Sequence, residues 1–216
     1  MAELIWIALA WLAYGVLHSV FAAQTFKRKI EQHWPALWPA YRLLFNVISV
    51  VLLLPVLWIM QQYPGAPLWH VPAWISWPAL AIAVMGFLWS LTWYDGATFL
   101  GLRQWRDQLG PDGECEAFKL SPMHRYVRHP WYTLGLLLLW TRDLNAAWLV
   151  TAGVVTLYLV IGSRLEEHKL AARYGSAYRR YCRRVPGLLP MPGRSLRVDE
   201  ARMLESLAHQ DFKTTH

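Results

Sequence analysis

The sequence predicts an all-α fold, an integral membrane bundle of about five transmembrane helices, and three observations lead to this prediction. The 216-residue chain is 56% hydrophobic and only 16% charged, a composition typical of membrane proteins. It carries 14 tryptophans, and tryptophan is enriched where a membrane meets water. Long apolar runs recur along the chain, and the loops between them hold nearly all of the basic residues.

The N-terminal half contains three apolar stretches of the length that a membrane span requires. A spanning helix needs roughly 20 mostly apolar residues. The stretches that meet this requirement are Leu4–Ala23, Leu43–Gln61 and Val71–Tyr94. We predict one transmembrane helix for each.

The last apolar region, Tyr132–Gly162, is interrupted by the polar segment Thr141–Asn145. We predict a helix-turn-helix whose arms, Tyr132–Trp140 and Ala146–Gly162, are the fourth and fifth helices. The alternative is one long tilted span, which would place two charged residues near the middle of the bilayer at a cost on the order of 3 kcal/mol each. The hairpin avoids this cost, although its arms are short for full spans.

The basic residues predict the orientation of the chain. Every Lys and Arg except Arg142 lies in the first loop, in the loop before the hairpin, or after Gly162. Because cytoplasmic loops collect Lys and Arg, we expect a cytoplasmic C-terminus and an external N-terminus. The net charge of +7 then reflects this bias and an attraction to membrane lipids, so we expect no nucleic-acid partner. The oligomeric state stays open.

Three consecutive segments follow from these patterns. Residues 1–94 hold the first three helices. Residues 95–194 hold a mostly polar loop with a turn signal at Gly110–Gly113, the hairpin, and a charged helix. Residues 195–216 form a charged, weakly helical tail. Because Cys115 and Cys182 both fall in segments placed in the cytoplasm, we expect no structural disulfide.

The charged helix, Ser163–Tyr181, presents Tyr174, Tyr178 and Tyr181 on one face, at the i, i+4, i+7 spacing. One reading is a basic amphipathic helix that lies on the membrane surface. The other is a helix that covers a ligand, and the two readings are compatible.

A basic group opens the hairpin at Arg128, His129 and Pro130. Proline suits the first turn of a helix, where free N–H groups and neighbouring cations form an anion site. The alternative is a plain helix start with cations that reach toward the interface.

Two adjacent carboxylates, Glu166 and Glu167, follow the hairpin. One of them should face inward, because neighbouring helical positions point about 100° apart. An interfacial carboxylate can hold an ammonium or offset a sulfonium. The alternative is a solvated helix start in which they pair with Arg164 or Lys169.

Other polar residues are weaker candidates. His18 lies near the inner end of the first span beside Ser19, either in a functional role or in a hydrogen bond across helices. Asp95 closes the third span, and it either pairs with a loop cation or contacts a substrate. His124, His129 and His168 match no structural zinc spacing, so we expect no metal.

Together these residues resemble the membrane methyltransferases of the isoprenylcysteine carboxyl methyltransferase and phospholipid methyltransferase superfamily. The first matching piece is Arg128-His129-Pro130-x-Tyr132. The second runs through Glu166-Glu167-x-x-Leu170, Tyr174-Gly175-x-x-Tyr178-x-x-Tyr181, Arg184-Val185-Pro186 and Pro190. The resemblance implies S-adenosylmethionine as the methyl donor, bound on the cytoplasmic side by a C-terminal helix.

The N-terminal half resembles bacterial methanethiol S-methyltransferases and related membrane proteins associated with denitrification. The residues that carry this likeness are His18-Ser19, Phe26-Lys27, Tyr41-Arg42-x-x-Phe45-Asn46, Tyr94-Asp95 and Phe99-x-Gly101-Leu102-Arg103-Gln104. There is one departure: the family pattern often has a glycine two positions after the tyrosine, where this chain has Leu134 followed by Gly135. Close packing of the first arm against the cofactor is therefore not implied here.

The resemblance assigns two sets of site residues. It implies a cofactor site formed by Arg128, His129, Pro130, Tyr132, Glu166, Glu167, Tyr178 and Arg184. It implies catalytic residues on the side of the methyl acceptor at His18, Asp95, Arg103 and Gln104.

The leading hypothesis is an S-adenosylmethionine-dependent membrane methyltransferase that acts on a small or lipophilic thiol. Methyl transfer from a sulfonium to a thiolate neutralises two opposite charges, and a medium of low dielectric favours that. Arg103 or His18 could favour ionisation of the thiol, since the thiolate is the nucleophile.

Two alternatives stay open from the sequence. One keeps the donor but changes the acceptor to a prenylcysteine carboxylate or a phospholipid amine. The other is a non-enzymatic small-molecule permease or respiratory assembly factor. Transport requires a continuous polar path, however, and the three long spans carry few charges.

Overall fold

The computed structural model describes residues 2–110 and 118–215, and helices dominate it. The long helices are α1 (Ala2–Ala22), α2 (Gln24–His33), α3 (Trp38–Gln62), α4 (Ala73–Leu91), α7 (Pro130–Trp140), α8 (Ala146–Arg184) and α9 (Val198–Thr215). Two five-residue helices, α5 (Gly96–Leu100) and α6 (Leu102–Arg106), lie in the predicted polar loop. The remaining elements are two 3₁₀ turns, Pro35–Leu37 and Pro122–Arg125, and two short strands, β1 (Pro67–Trp69) and β2 (Leu144–Asn145). The predicted all-α class is confirmed.

Within the described part of the chain, four helices are long and apolar enough to cross a membrane. They are α1, α3 with the 3₁₀ turn before it, α4, and α8. The first three agree with the predicted spans to within a few residues at most ends. The predicted fourth crossing, α7, has only 11 residues and is thus about 16 Å long, which is too short for a full span.

The predicted hairpin is confirmed in its connectivity, but the predicted end of its second arm is wrong. Residues 141–145 turn the chain between α7 and α8, and the Trp140 indole donates to the Thr156 hydroxyl at 3.0 Å. Helix α8 continues through Gly162 to Arg184, because one glycine costs a helix interior only about 1 kcal/mol. The interruption comes at Gly175, whose φ of 55° and ψ of −127° suit glycine alone.

The first compact unit contains α1 to α3, β1, α5, α6, β2 and α8 as far as Val155. Its core contains Ile7, Val56, Met60 and Ala147. The Trp11 indole donates to the Thr151 hydroxyl at 2.9 Å. Strands β1 and β2 pair antiparallel in this unit.

The second unit contains α4, α7, the rest of α8 and α9. Leu134 of α7 packs against Gly86 of α4, where a Cβ atom would lie 2.9 Å from a Leu134 methyl carbon. The Trp131 indole donates to the Ser90 hydroxyl at 2.9 Å, which links the same two helices. The position where the sequence departs from the family pattern is therefore filled by helix packing.

The C-terminal tail differs from its expected weak helicity. It forms the 18-residue helix α9, whose Ala201, Leu204 and Ala208 are buried in one cluster with the tyrosines of α8. The core formed in this way contains Tyr174, Ala177, Tyr178, Tyr181, Val185, Leu196, Ala201, Leu204 and Ala208. We call this set the tyrosine core.

Each compact unit is formed by several separate stretches of the chain. The predicted division into three consecutive segments with separate functions therefore stays a prediction. Cys115 and most of the predicted turn Gly110–Gly113 lie outside the described residues.

Candidate functional site

The start of α7 is held by the extended chain that follows α8. The backbone N–H of Arg128 donates to the Pro186 carbonyl at 2.9 Å, and that of His129 donates to the Gly187 carbonyl at 3.1 Å. One turn later, the Thr133 hydroxyl donates to the Leu188 carbonyl at 2.6 Å. Pro130 occupies the first turn of α7, where its missing N–H costs nothing. These bonds bring the two matching sequence pieces together.

Arg128 and Glu167 form a two-point ion pair inside this junction. The Nε and Nη2 atoms of Arg128 donate to Oε1 and Oε2 of Glu167, each at 2.9 Å. The Nη1 atom donates to the carbonyl oxygens of Cys182 and Val185. Paired charges with this geometry form strong hydrogen bonds. Arg128 therefore supports Glu167 and the end of α8, and its donors are directed at protein atoms.

His129 lies between the two glutamates. Its Nε2 atom is 2.9 Å from Oε1 of Glu167, and its Nδ1 atom is 3.4 Å from Oε2 of Glu166. Burial alone would lower the pKa of His129, but the hydrogen bonds to Glu166 and Glu167 and their charges outweigh burial and raise it. A protonated imidazole donates from both nitrogens, and this arrangement uses both.

Glu166 is the more accessible of the two carboxylates, with 49% of its side chain exposed against 17% for Glu167. The Tyr132 hydroxyl donates to Oε2 of Glu166 at 3.4 Å, and the Tyr132 ring stacks on His129 with a centroid distance of 5.3 Å. Both contacts of Glu166 are long, so its oxygens retain capacity for another donor. We call Arg128, His129, Tyr132, Glu166 and Glu167 the carboxylate site.

A half-exposed carboxylate beside an aromatic ring is suited to a cationic group. Carboxylates bind ammonium groups through charge-assisted hydrogen bonds, and a tyrosine ring attracts cations through its face. These residues fit the cationic part of a sulfonium-bearing methyl donor.

Two predicted cofactor residues lie in other surroundings. Tyr178 is almost fully buried in the tyrosine core, where its ring packs against Phe118 and Tyr181. Arg184 forms an exposed ion pair with Glu200 of α9 at 3.0 Å. Their proposed contacts with a cofactor stay predictions.

The four residues predicted for the acceptor side all belong to the first unit, whereas the carboxylate site belongs to the second. The His18 ring lies against Phe45, with a centroid distance of 5.0 Å. The Gln104 amide nitrogen donates to the Thr98 carbonyl at 3.1 Å, and its side-chain oxygen is buried.

Asp95 and Arg103 have a clear structural role. Asp95 caps α5, since its carboxylate accepts hydrogen bonds from the Ala97 N–H at 3.0 Å and the Thr98 hydroxyl at 2.7 Å. Arg103 donates to the same carboxylate at 3.2 Å. The Thr98 hydroxyl, followed by Arg103, lowers the pKa of Asp95. A role of this pair toward a substrate stays a prediction.

The sequence reasoning missed a hydrogen-bonded pair next to the carboxylate site, a buried serine and a half-buried histidine. The Nδ1 atom of His124 lies 2.8 Å from the Ser121 hydroxyl, and the His124 carbonyl accepts the Tyr181 hydroxyl at 2.7 Å. Burial, together with the nearby charge of His129, lowers the pKa of His124 to about 4. The histidine itself was visible in the sequence, but was weighed only as a metal ligand.

Several curated proteins are similar to this chain over most of its length. A methanethiol S-methyltransferase of Pseudomonas deceptionensis is 32% identical over 188 residues, which cover 82% of this chain and 69% of that protein. One of Mycobacterium tuberculosis is 33% identical over 198 residues, covering 84% and 75%. Methanethiol S-methyltransferase 2 of Bradyrhizobium diazoefficiens is 28% identical over 194 residues, covering 88% and 74%. No family model matches the chain, and no solved structure matches it.

The apolar helices mark the chain as a helical membrane protein, and its similarity to these proteins places it in the methyltransferase class. The identities above 30% over more than two thirds of both chains identify its family. The chain belongs to the methanethiol S-methyltransferase family.

Proposed function

We propose that this protein transfers a methyl group from S-adenosylmethionine to methanethiol or a similar small thiol at the membrane. The observation that carries the proposal is the half-exposed Glu166 carboxylate beside Tyr132 and His129, in a chain of this family.

The carboxylate site suits the donor's charge. S-adenosylmethionine, when bound, supplies an electrophilic methyl group on a positively charged sulfonium and also carries an ammonium. Glu166 would accept hydrogen bonds from the ammonium, and the Tyr132 ring would lie near positive charge. Glu167, whose charge is shared between Arg128 and His129, would keep His129 and α8 in place.

Burial favours a thiol acceptor. The electron pair of the thiolate forms the new sulfur–methyl bond, and the electron pair of the broken bond stays on the donor's sulfur, so both charges disappear. In a medium of low dielectric the separated charges are poorly solvated, and this loss of charge becomes favourable. The thiol proton leaves to a base, and a cation would stabilise the thiolate; His18 and Arg103 stay predictions for these two roles.

The basic residues support a cytoplasmic position for the carboxylate site. The charged residues of the carboxylate site lie in α8 and the loop before α7, the segments that carry most of the Lys and Arg residues. We therefore infer a bacterial-type inner membrane with the C-terminus in the cytoplasm. The charged donor would arrive from water and the apolar thiol from the bilayer.

The test uses purified protein in lipid nanodiscs with methyl-labelled S-adenosylmethionine. The acceptors are methanethiol, a prenylated cysteine and phosphatidylethanolamine, and label is counted in the headspace and in the lipid extract. We expect label in the headspace only when methanethiol is present. Label that appears only in lipid, or no binding of the donor, would contradict the proposal.

A matched pair of variants ties the activity to the carboxylate site. His129→Ala removes the imidazole between the glutamates and should weaken donor binding. His168→Ala removes an exposed histidine of α8 whose ring bonds only locally, to the Arg164 carbonyl at 2.8 Å, and should leave binding unchanged. Equal donor affinity in the two variants would show that the donor binds elsewhere.

A further inference from the structure

Gly162 leaves an open space directly beside the carboxylate site. It lies one helical turn before Glu166 in α8, so the two positions share nearly the same face, about 40° apart. Gly162 is half-buried, yet a Cβ atom built there would meet nothing within 4 Å. A helical side chain leans over the turn that precedes it, and Glu166 therefore leans toward the space above Gly162.

Along α8 this space lies between two polar residues of the second unit. Tyr158 lies one turn before Gly162, and Glu166 lies one turn after it. Tyr132 of α7 donates to the Glu166 carboxylate at 3.4 Å. The position of Gly162 is therefore next to the carboxylate site along the helix.

The direction of α8 indicates which ligand would use this space. The apolar part of α8 precedes Glu166, and the charged part follows it. Gly162 therefore lies on the membrane side of the carboxylate. An apolar molecule dissolved in the bilayer reaches that side first, whereas a charged donor approaches from the aqueous side.

We propose that Gly162 makes room for the alkyl group of the methyl acceptor and thereby sets the size of thiol that the protein accepts. This inference rests on the proposed function and deepens it. Glycine is a poor residue for a helix interior, and its lack of a side chain at position 162 leaves room beside Glu166 for a small alkyl group.

The experiment measures kcat/KM for methanethiol, ethanethiol and propanethiol with Gly162→Ala, Gly162→Val and the unchanged protein in nanodiscs. One methylene in an apolar pocket changes discrimination by roughly tenfold or more. We expect Gly162→Ala to lose about tenfold with propanethiol and little with methanethiol. Gly162→Val should lose activity with all three thiols. The KM for the donor should stay within about twofold, and the melting temperature of Gly162→Ala should not fall, because alanine favours the helix.

Gly153 provides the matched control. It lies nine residues earlier in the same helix, it is exposed, and a Cβ atom built there also meets nothing within 4 Å. Gly153→Ala and Gly153→Val should keep the thiol preference unchanged.

Two results would overturn the inference while leaving the proposed function intact. One is an unchanged thiol preference in both Gly162 variants. The other is a raised KM for the donor with unchanged thiol kinetics, which would assign the space to the donor. If the unchanged protein methylates no thiol, the proposed function itself fails.

Discussion

The carboxylate of Glu167 lies 2.8 Å from the guanidinium of Arg128, and both side chains are largely removed from water. Among the described residues, the adjacent carboxylate, Glu166, contacts His129 and Tyr132, each at 3.4 Å. The two neighbouring glutamates of α8 therefore have different roles. Glu167 holds the junction between α7 and α8, and Glu166 remains accessible to a ligand.

This division predicts different effects for the same substitution at the two positions. Glu167→Gln leaves the buried Arg128 without a counter-charge, and breaking such a pair costs on the order of 3 kcal/mol. Glu166→Gln should instead leave the free energy of unfolding unchanged. It should reduce donor affinity by about tenfold, which corresponds to the loss of one hydrogen bond to a charged group. Thermal unfolding and donor-binding isotherms in nanodiscs measure the two effects.

Glu31→Gln, at a half-buried position of α2 outside the carboxylate site, is the control and should change neither quantity. If Glu166→Gln lowered the melting temperature as much as Glu167→Gln, both residues would be structural.

The association of Arg128 and His129 with Glu166 and Glu167 could be predicted from the sequence, because a hairpin returns both of its ends to one surface. Which glutamate is held could not be predicted, since it depends on the rotation of α8 and on where Pro186 and Gly187 bring the backbone. The break at Gly175 was also hidden, because the tyrosine spacing fits a continuous helix.

His124 should make the protein sensitive to acid. Its ordinary pKa of 6.5 applies to the unfolded chain, and the folded pKa is about 4. Between pH 4 and pH 6.5 the unfolded chain therefore binds more protons than the folded protein. The stability that neutral His124 contributes is complete above pH 6.5 and is lost as the pH falls toward 4. The full loss is on the order of 3 kcal/mol.

The variant His124→Asn keeps an acceptor for Ser121 but does not titrate. Melting temperatures between pH 7.5 and pH 4.5 should fall less steeply in His124→Asn than in the unchanged protein. The melting temperature of His168→Asn, a change at an exposed histidine, should fall with pH as steeply as that of the unchanged protein. Identical acid profiles for all three proteins would show that His124 is not held neutral by burial.

Gly86 and Leu134 should be coupled. A valine at position 86 would place its Cβ only 2.9 Å from a Leu134 methyl carbon, and overpacking of this kind costs about 1–3 kcal/mol. Leu134→Ala alone leaves a cavity and costs about 2–5 kcal/mol. The double variant should be more stable than the sum of the two losses predicts, because the valine fills the cavity. Strictly additive losses in melting experiments would mean that the two residues do not pack together.

Helix α9 should be required for a stable second unit. Leu204 is 4% exposed within the tyrosine core, whereas its neighbour Met203 is 55% exposed. Leu204→Ala should therefore lose about 2–5 kcal/mol of stability, and Met203→Ala should lose less than about 0.5 kcal/mol. The tyrosine core also contains Tyr181, which bonds to the segment before α7, so donor affinity should fall together with stability in Leu204→Ala. Unfolding curves and donor binding measured on both variants test this coupling. Equal stability and equal donor affinity of the two variants would show that α9 is not required.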